Sequence, residues 1–122
     1  MDILAFINAE MEAAGIPYEY GEWTDAVSYP YVVGSFTETE YRFEDGCTLG
    51  ALTLDAWARG ANANEKLLDV KNKIKRAFSD RQSVQDGKAF FIRYGGSFPT
   101  QTGEEELSKI TITLFTYEWE GA

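Results

Sequence analysis

The side chains that most often perform chemistry in proteins are scarce in this 122-residue chain. The sequence contains no histidine, which excludes Ser-His-Asp and Cys-His nucleophile arrangements and any histidine-ligated metal site. The single cysteine, Cys47, stands close to Glu44 and Asp45, and their negative charges oppose the formation of a thiolate. We therefore expect Cys47 to be a packed strand residue and not a nucleophile.

The segment GGSFPTQTGEEE, at 95–106, is rich in glycine and in acid. It lacks the Gly-Lys-Ser/Thr ending of a phosphate-binding loop, and it lies between strands, where such a loop would open a helix. The consecutive carboxylates Glu104 to Glu106 cannot surround one cation as the spaced ligands of a calcium loop do. The segment is predicted to be a flexible hairpin loop, and contact with a neighbouring subunit is its functional alternative.

Carboxylates are the remaining candidates for catalysis, because the chain has twenty Asp and Glu residues. Glycosidases use two carboxyl groups at a fixed separation, and a sequence does not give that separation. With so many acids some pairs come close by chance, so a carboxylate enzyme is the weakest hypothesis considered. We expect no catalytic residue, no metal ligand and no cofactor, and we do not expect an enzyme.

The charge of the chain restricts its partners. The formal net charge is −9, and residues 1–45 hold ten acidic residues against one basic residue, Arg42. A chain with such an excess of acidic residues is not expected to bind nucleic-acid phosphates through counterion release. An acidic surface either keeps nucleic acid from sticking or mimics nucleic acid toward a basic protein.

Neither cysteine content nor hydropathy indicates export or membrane insertion. A single cysteine can form no internal disulfide, and the first residues, MDILAFINAEMEAAG, lack the basic start of a secretory signal. No stretch approaches the roughly 18 apolar residues that a membrane span requires. A soluble intracellular protein is expected.

Hydrophobic periodicity predicts two helices. Apolar residues recur every three or four positions over 3–14 and again over 63–79. Asp2 is a candidate cap for the first helix, and Asn62 with Glu65 is a candidate capping pair for the second. The side of the second helix away from its apolar stripe is basic, and either solvent or a neighbouring subunit would explain it. Two of its cations are candidates for such a contact: Lys73 and Arg76.

Other segments are rich in residues that favour strands. The longest is a hairpin that begins near Tyr31 and turns at Asp45-Gly46, a strong hairpin signal. This turn pairs Gly34 with Trp57, so that odd-numbered residues of the first strand face the core. Phe36 then lies on the opposite face, on the same side as Trp57. Three further strands are predicted at 18–23, 88–94 and 107–119.

These elements predict a single α+β domain over 1–122, in the order α-β-β-β-α-β-β. The sheet is expected to be antiparallel or mixed, with both helices packed on one face. Aromatic residues remain on the other face, and an exposed aromatic patch suggests a partner. Trp57 also has a simpler interpretation, as a core residue or as the cover of a strand glycine. The candidate assembly residues on the strands and the loop are Phe36, Trp57, Phe98, Tyr117 and Trp119.

The middle of the chain resembles a known class of protein. The run YPYVVGSFTE is followed by LTLDAWARGANANEKLLDVKNKIKRAF, which has the order strand, Trp, Arg, polar turn and helix. Together they are similar to the tail-terminator, or tail-completion, proteins of long-tailed phages and prophages. The resemblance spans about residues 29–78, roughly two fifths of the chain. Gly34 and Ser35 depart from the longer aliphatic and acidic continuation that such sequences often have.

The resemblance implies a head-tail joining protein in the tail or neck of the virion, made in the cytoplasm of a bacterial host. Its partners would be copies of itself in a ring, commonly a hexamer, together with the tail tube protein and the head-tail connector protein. DNA would pass through the ring without specific binding, and no membrane is involved. Closing such a ring requires a heterologous contact, in which one patch meets a different patch.

A second interpretation is an acidic inhibitor that mimics DNA toward a basic nucleic-acid-binding protein. It requires carboxylates spaced along one face as phosphates are spaced along DNA. The acids of the first half are instead predicted to be scattered over helix, loop and hairpin.

Overall fold

The computed structural model describes residues 3–22, 28–42, 46–85 and 87–120, which form two helices and six strands. Both helices begin where the sequence predicted and end one residue earlier. The helices are α1 (Ile3–Ala13) and α2 (Ala63–Phe78), and the strands are β1 (Tyr18–Tyr20), β2 (Tyr31–Arg42), β3 (Thr48–Arg59), β4 (Arg81–Gln85), β5 (Lys88–Thr100) and β6 (Leu107–Glu120).

All six strands belong to one sheet, in the order β1-β2-β3-β6-β5-β4. β1 runs parallel to β2, and every other neighbouring pair is antiparallel. The predicted α+β class, with a mixed sheet and two helices, is confirmed. The sequence did not predict β4, so the observed order has one strand more than the prediction.

Both helices pack on the same face of the sheet, which we call the helix face. Ile7 of α1 and Phe78 of α2 are fully buried in one core, together with even-numbered residues of β3 and β6. The rings of Phe6 on α1 and Phe90 on β5 meet within this core, with 6.0 Å between their centroids. Each helix therefore buries one apolar stripe, which explains why its periodicity was visible in the sequence.

α2 begins without the predicted side-chain cap. Asn62 occupies the N-cap position, but its side chain makes no capping hydrogen bond, so the predicted Asn62–Glu65 capping pair is wrong. At the other end the N–H of Ser79 donates to the carbonyl of Lys75. Tertiary packing of the apolar stripe therefore contributes more to this helix than capping does. The other predicted cap, Asp2, lies outside the described residues.

The β2–β3 hairpin does not have the predicted register. Trp57 pairs with Tyr31, whereas the prediction placed it across from Gly34. An irregularity between Glu38 and Arg42, as in a β-bulge, shifts the pairing by two residues, which leaves each residue on its face. The observed pairing differs from the predicted one by one residue at Arg42–Thr48 and by three at Tyr31–Trp57, and a difference of an odd number of residues exchanges the two faces of a strand. The even-numbered residues of β2 therefore face the helices. The predicted turn residue Asp45 lies outside the described residues.

Two strand glycines on the helix face are covered by aromatic rings of a neighbouring strand. A Cβ atom added to Gly34 would lie 2.6 Å from the hydroxyl of Tyr18, and one added to Gly50 would lie 2.9 Å from Cε1 of Phe36. Phe36 is half-buried against the core, so its predicted place on the exposed face was wrong. Burial, reinforced by the neighbouring Tyr20, raises the pKa of Tyr18 to about 12.

β5 extends beyond its predicted end at residue 94, through a bulge between Tyr94 and Gly96. Residues 96–100, predicted as part of a loop, therefore pair with β6. The loop itself is short, covering residues 101–106, and internal hydrogen bonds hold it. The hydroxyl of Thr102 donates to the carbonyl of Leu107 at 2.7 Å.

Candidate assembly surface

The face of the sheet opposite the helices carries no helix among the described residues, and we call it the open face. It is formed by the odd-numbered residues of β2, β3 and β6. On β5 it includes Phe91 and Arg93 before the bulge and Phe98 and Thr100 after it. Neighbouring side chains half-bury most of these residues, but Phe98 is 57% exposed. Aromatic rings gather at both ends of this face.

At one end, three rings and two cations form what we call the Trp57 cluster: Tyr29, Tyr31, Trp57, Arg59 and Lys109. The rings of Tyr31 and Trp57 are nearly parallel, with 6.3 Å between centroids, and Tyr29 lies 5.5 Å from Tyr31. The ammonium of Lys109 lies 4.7 Å from the Trp57 ring centroid, and the guanidinium of Arg59 lies 5.5 Å from that of Tyr29. Both cations therefore lie over ring faces, where the ring quadrupole attracts them.

At the other end, four rings and one cation form the Trp119 cluster: Phe91, Arg93, Phe115, Tyr117 and Trp119. Tyr117 lies 6.4 Å from Trp119 and 5.7 Å from Phe91 between centroids. The guanidinium of Arg93 lies 5.4 Å from the centroid of Phe115. The ring of Phe115 also covers Gly95, where an added Cβ would lie 2.8 Å from Cδ2. This cluster therefore also consists of rings in contact with one another and a cation over one ring face.

Between the clusters the open face is polar. The hydroxyl of Thr111 donates to Asp55 at 2.8 Å and lies 3.1 Å from the hydroxyl of Thr100. The ammonium of Lys109 is 3.7 Å from the same Asp55 carboxylate. These contacts satisfy the Asp55 carboxylate within the sheet. The small polar residues Ser35 and Thr53 continue the band across the sheet.

The open face carries cations and carboxylates in balance. Its four long strands present Arg59, Arg93, Lys109 and Asp55, and β1 adds Glu19 beside Val33. Glu104 pairs with Arg59 and Asp55 with Lys109, so Arg93 is the cation of this set without a carboxylate partner among the described residues. Hydrogen bonds to Tyr29 and then to Glu104 raise the pKa of Arg59, and burial raises the pKa of Tyr31.

Four of the predicted assembly residues lie on this face: Trp57, Phe98, Tyr117 and Trp119. The structure brings Tyr117 and Trp119 together, while Trp57 lies in the other cluster, about 30 Å away along β6. Phe36 lies on the helix face instead. Lys73 and Arg76 belong to α2, on the opposite side of the sheet, and Lys73 pairs with Asp69 at 3.4 Å.

Sequence reasoning missed the cations of the face and the tyrosine pair beside Trp57. Tyr31 was assigned to the face that points toward the helices, since the predicted register placed odd-numbered residues of β2 there. Arg93 and Lys109 follow the alternation of β5 and β6, and this signal was present in the sequence. The run of apolar and aromatic residues in these two strands hid it.

Part of the sheet edge is poorly suited to adding another strand. The edge strands are short, with three residues in β1 and five in β4. The part of β5 beyond β4 contains the bulge near Gly96, and it contains Pro99, which has no N–H to donate. Short edges, bulges and proline are features that disfavour strand addition in soluble proteins. The outer edge of β2 differs, because β1 pairs only with its residues 32–34 and residues 35–42 have no described strand beside them.

Two observations concern the groups that the sequence analysis considered for chemistry. Cys47 is buried, with 2% of its surface exposed, so the prediction of a packed cysteine is confirmed. No group of three Asp, Glu, Cys or His side chains is arranged to hold a metal ion in the part of the chain that the structure describes.

Comparison with protein-family models and with curated proteins finds no match to this chain. The resemblance over residues 29–78 therefore stays a prediction. Among the described residues, neither α1 nor α2 is long and apolar enough to cross a membrane.

Proposed function

We propose that this chain is a structural protein of a phage or prophage virion, of the tail-terminator type. It closes into a ring at the end of the tail tube, stops the tube from growing and joins it to the head connector. The observation that carries the proposal is the open face, a sheet surface with aromatic rings at both ends and no helix over it in the described part of the chain.

The composition of the open face supports a role in assembly. Aromatic residues and arginine are enriched at the buried centres of protein interfaces, and lysine and carboxylates are depleted there. The open face has seven aromatic positions on β2, β3, β5 and β6 and one carboxylate. Phe98 and Phe115 are among the most exposed large apolar residues described, at 57% and 36%. Such a surface favours binding another protein over remaining in water.

The charge of the chain supports a channel through which DNA passes. With a net charge of −9, a ring of such chains repels phosphates overall and gives DNA little to bind. DNA can then slide without being held. The tail tube protein and the head connector are the further partners that this proposal requires.

The DNA-mimic alternative has less support. Its carboxylates must follow one another along a single face, as phosphates do. The described acids of the first half lie on different elements, with Glu10 and Glu12 on α1, Glu19 on β1 and Glu38 on β2. No specific observation favours this alternative over assembly.

The proposal is tested by adding the purified chain to a polymerising tail tube protein and measuring tube lengths by negative-stain microscopy. We expect growth to stop and the chain to be found as rings at tube ends. Two variants sharpen the test, because both replace an exposed apolar residue by an acid. Phe98→Asp changes the open face, and Leu68→Asp changes α2, where Leu68 is 51% exposed. Only the Phe98→Asp variant should lose the ability to stop tube growth. Tubes that grow without limit in the presence of the unchanged chain would refute the proposal.

A further inference from the structure

We infer that the open face binds the acidic 101–106 loop of a second copy, with Arg93 as the residue that receives its carboxylates. The contact joins two different surfaces, so it runs head to tail. The inference deepens the proposed function, because it names the surfaces that join neighbouring subunits of the ring.

Arg93 is the cation of the open face that has no carboxylate partner among the described residues. Arg59 forms an ion pair with Glu104 at 2.8 Å, and Lys109 forms one with Asp55 at 3.7 Å. Arg93 lies over the ring of Phe115 and is exposed. The most exposed aromatic residue of the face, Phe98, follows on the same strand. An exposed cation beside exposed rings can form an ion pair with a carboxylate on a partner's loop.

The 101–106 loop carries the densest run of carboxylates among the described residues, and it is already ordered. Thr102 donates to the carbonyls of Glu104 and Leu107, at 3.1 Å and 2.7 Å, and the N–H of Gly60 donates to the carbonyl of Glu106 at 2.9 Å. Glu104 is occupied by Arg59 in the same chain, whereas Glu105 and Glu106 are exposed. A loop held in this way loses little conformational entropy when it binds.

The charges favour a contact between two different surfaces. Within its own chain Arg59 is paired with Glu104 and Lys109 with Asp55, which leaves Arg93 as the cation to be matched. The loop of a second copy presents the exposed carboxylates Glu105 and Glu106, so the face of one copy and the loop of the next are complementary. A contact between two different patches repeats from copy to copy and closes a ring when the rotation allows it.

The same charges argue against nucleic acid as the occupant. An open sheet with aromatic rings and cations could stack the bases of a single strand. The chain as a whole carries a net charge of −9, so a polyanion is repelled as it approaches. The acidic loop of another copy presents only a few carboxylates, so it meets less of this repulsion than a polyanion does.

The inference is tested by charge reversal on both surfaces, with self-association followed by sedimentation over a range of concentrations. The face variant is Arg93→Glu, the loop variant carries Glu105→Lys and Glu106→Lys, and the control is Arg76→Glu, an exposed arginine of α2. Circular dichroism establishes that each variant is folded. We expect the face variant and the loop variant each to weaken self-association about tenfold or more, because close charge pairs at interfaces are coupled to this extent.

The decisive sample combines the face and loop substitutions in one chain. Because both signs are reversed, we expect its self-association to recover to within about threefold of the unchanged chain. Failure to recover overturns the inference, as does a loss of association in Arg76→Glu, which would make α2 the contact. A chain that remains monomeric also overturns it, as does binding of a single-stranded oligonucleotide that Arg93→Glu abolishes. Tube capping is measured separately, so the proposed function can fail or stand independently of these outcomes.

Discussion

Gly50→Ala tests the observed register of the β2–β3 hairpin at its most crowded point. A Cβ atom added to Gly50 would lie 2.6 Å from the hydroxyl of Thr116 and 2.9 Å from Cε1 of Phe36, on the buried side of the sheet. Both distances are too short for van der Waals contact, so the Phe36 ring must move out of the core. Forcing an extra methyl group into a packed site costs about 1–3 kcal/mol. Replacing a strand glycine by alanine by itself stabilises the fold by about 0.5–1 kcal/mol. We therefore expect the free energy of unfolding to fall by about 1–2 kcal/mol in total.

The effect should disappear when the ring is absent. Phe36→Ala by itself should lower the free energy of unfolding by about 2 kcal/mol, less than a fully buried phenylalanine, because Phe36 is half-buried. In that background both close contacts with the Phe36 ring are gone, and the remaining close contact is with the hydroxyl of Thr116, which can rotate. Gly50→Ala should then cost close to nothing, and the two changes should couple by about 1–2 kcal/mol.

The assay is urea unfolding of the unchanged chain, both single variants and the double variant, with Trp57→Ala as the control. Trp57 lies on the open face, so its effect should add to that of Gly50→Ala within about 0.5 kcal/mol. The register predicted from the sequence turns Phe36 toward the open face, where it cannot meet Gly50. Additive effects of Gly50→Ala and Phe36→Ala would therefore refute the observed register and favour the predicted one.

Two further predictions concern pH and packing. Because Tyr18 has a pKa of about 12 in the folded chain and an ordinary value of 10.0, its phenol adds stability below pH 10 that is lost as the pH rises toward 12. Urea unfolding should show a steeper loss over this range for the unchanged chain than for Tyr18→Phe; equal slopes would contradict burial of the phenol. Ile112→Ala, in the core, should lower the free energy of unfolding by about 2–5 kcal/mol, whereas Phe98→Ser, on the open face, should change it by no more than about 0.5 kcal/mol. Thermal unfolding of both variants measures the difference, and similar losses would show that Phe98 also belongs to a buried core.

The helices were predictable because each buries one stripe at helical spacing, whereas the hairpin register was not. The turn signal at Asp45-Gly46 assumes a two-residue turn between uninterrupted strands. The observed pairing is already displaced by one residue at Arg42–Thr48, next to the turn, and by two more between Arg42 and Glu38. The strand β4 escaped prediction for a different reason. Its sequence, RQSVQ, has no alternation of apolar residues, and it joins the sheet through its backbone pairing with β5.

The assembly surface was predictable in part. The alternation of β6 placed Tyr117 and Trp119 on one face from the sequence alone, and this placement depends on no turn. The predicted face of Phe36 was wrong because it depended on the register of the hairpin. The partnership of Arg93 with Phe115 also needed the structure, since these residues become cross-strand neighbours only through the pairing of β5 with β6.

For the assembly that we propose, the open face would have to bind a partner and also keep the free chain soluble. These two requirements usually conflict. A bare aromatic sheet invites association with any other apolar surface. Here the cations Arg59, Arg93 and Lys109 lie over rings, and a threonine-rich band separates the two clusters, so water can hydrate the face. The net negative charge makes separate copies repel one another. In the head-to-tail contact that we infer, the exposed carboxylates of the loop would offset part of this repulsion at Arg93. The same cations that help to hydrate the free face would then select the partner surface.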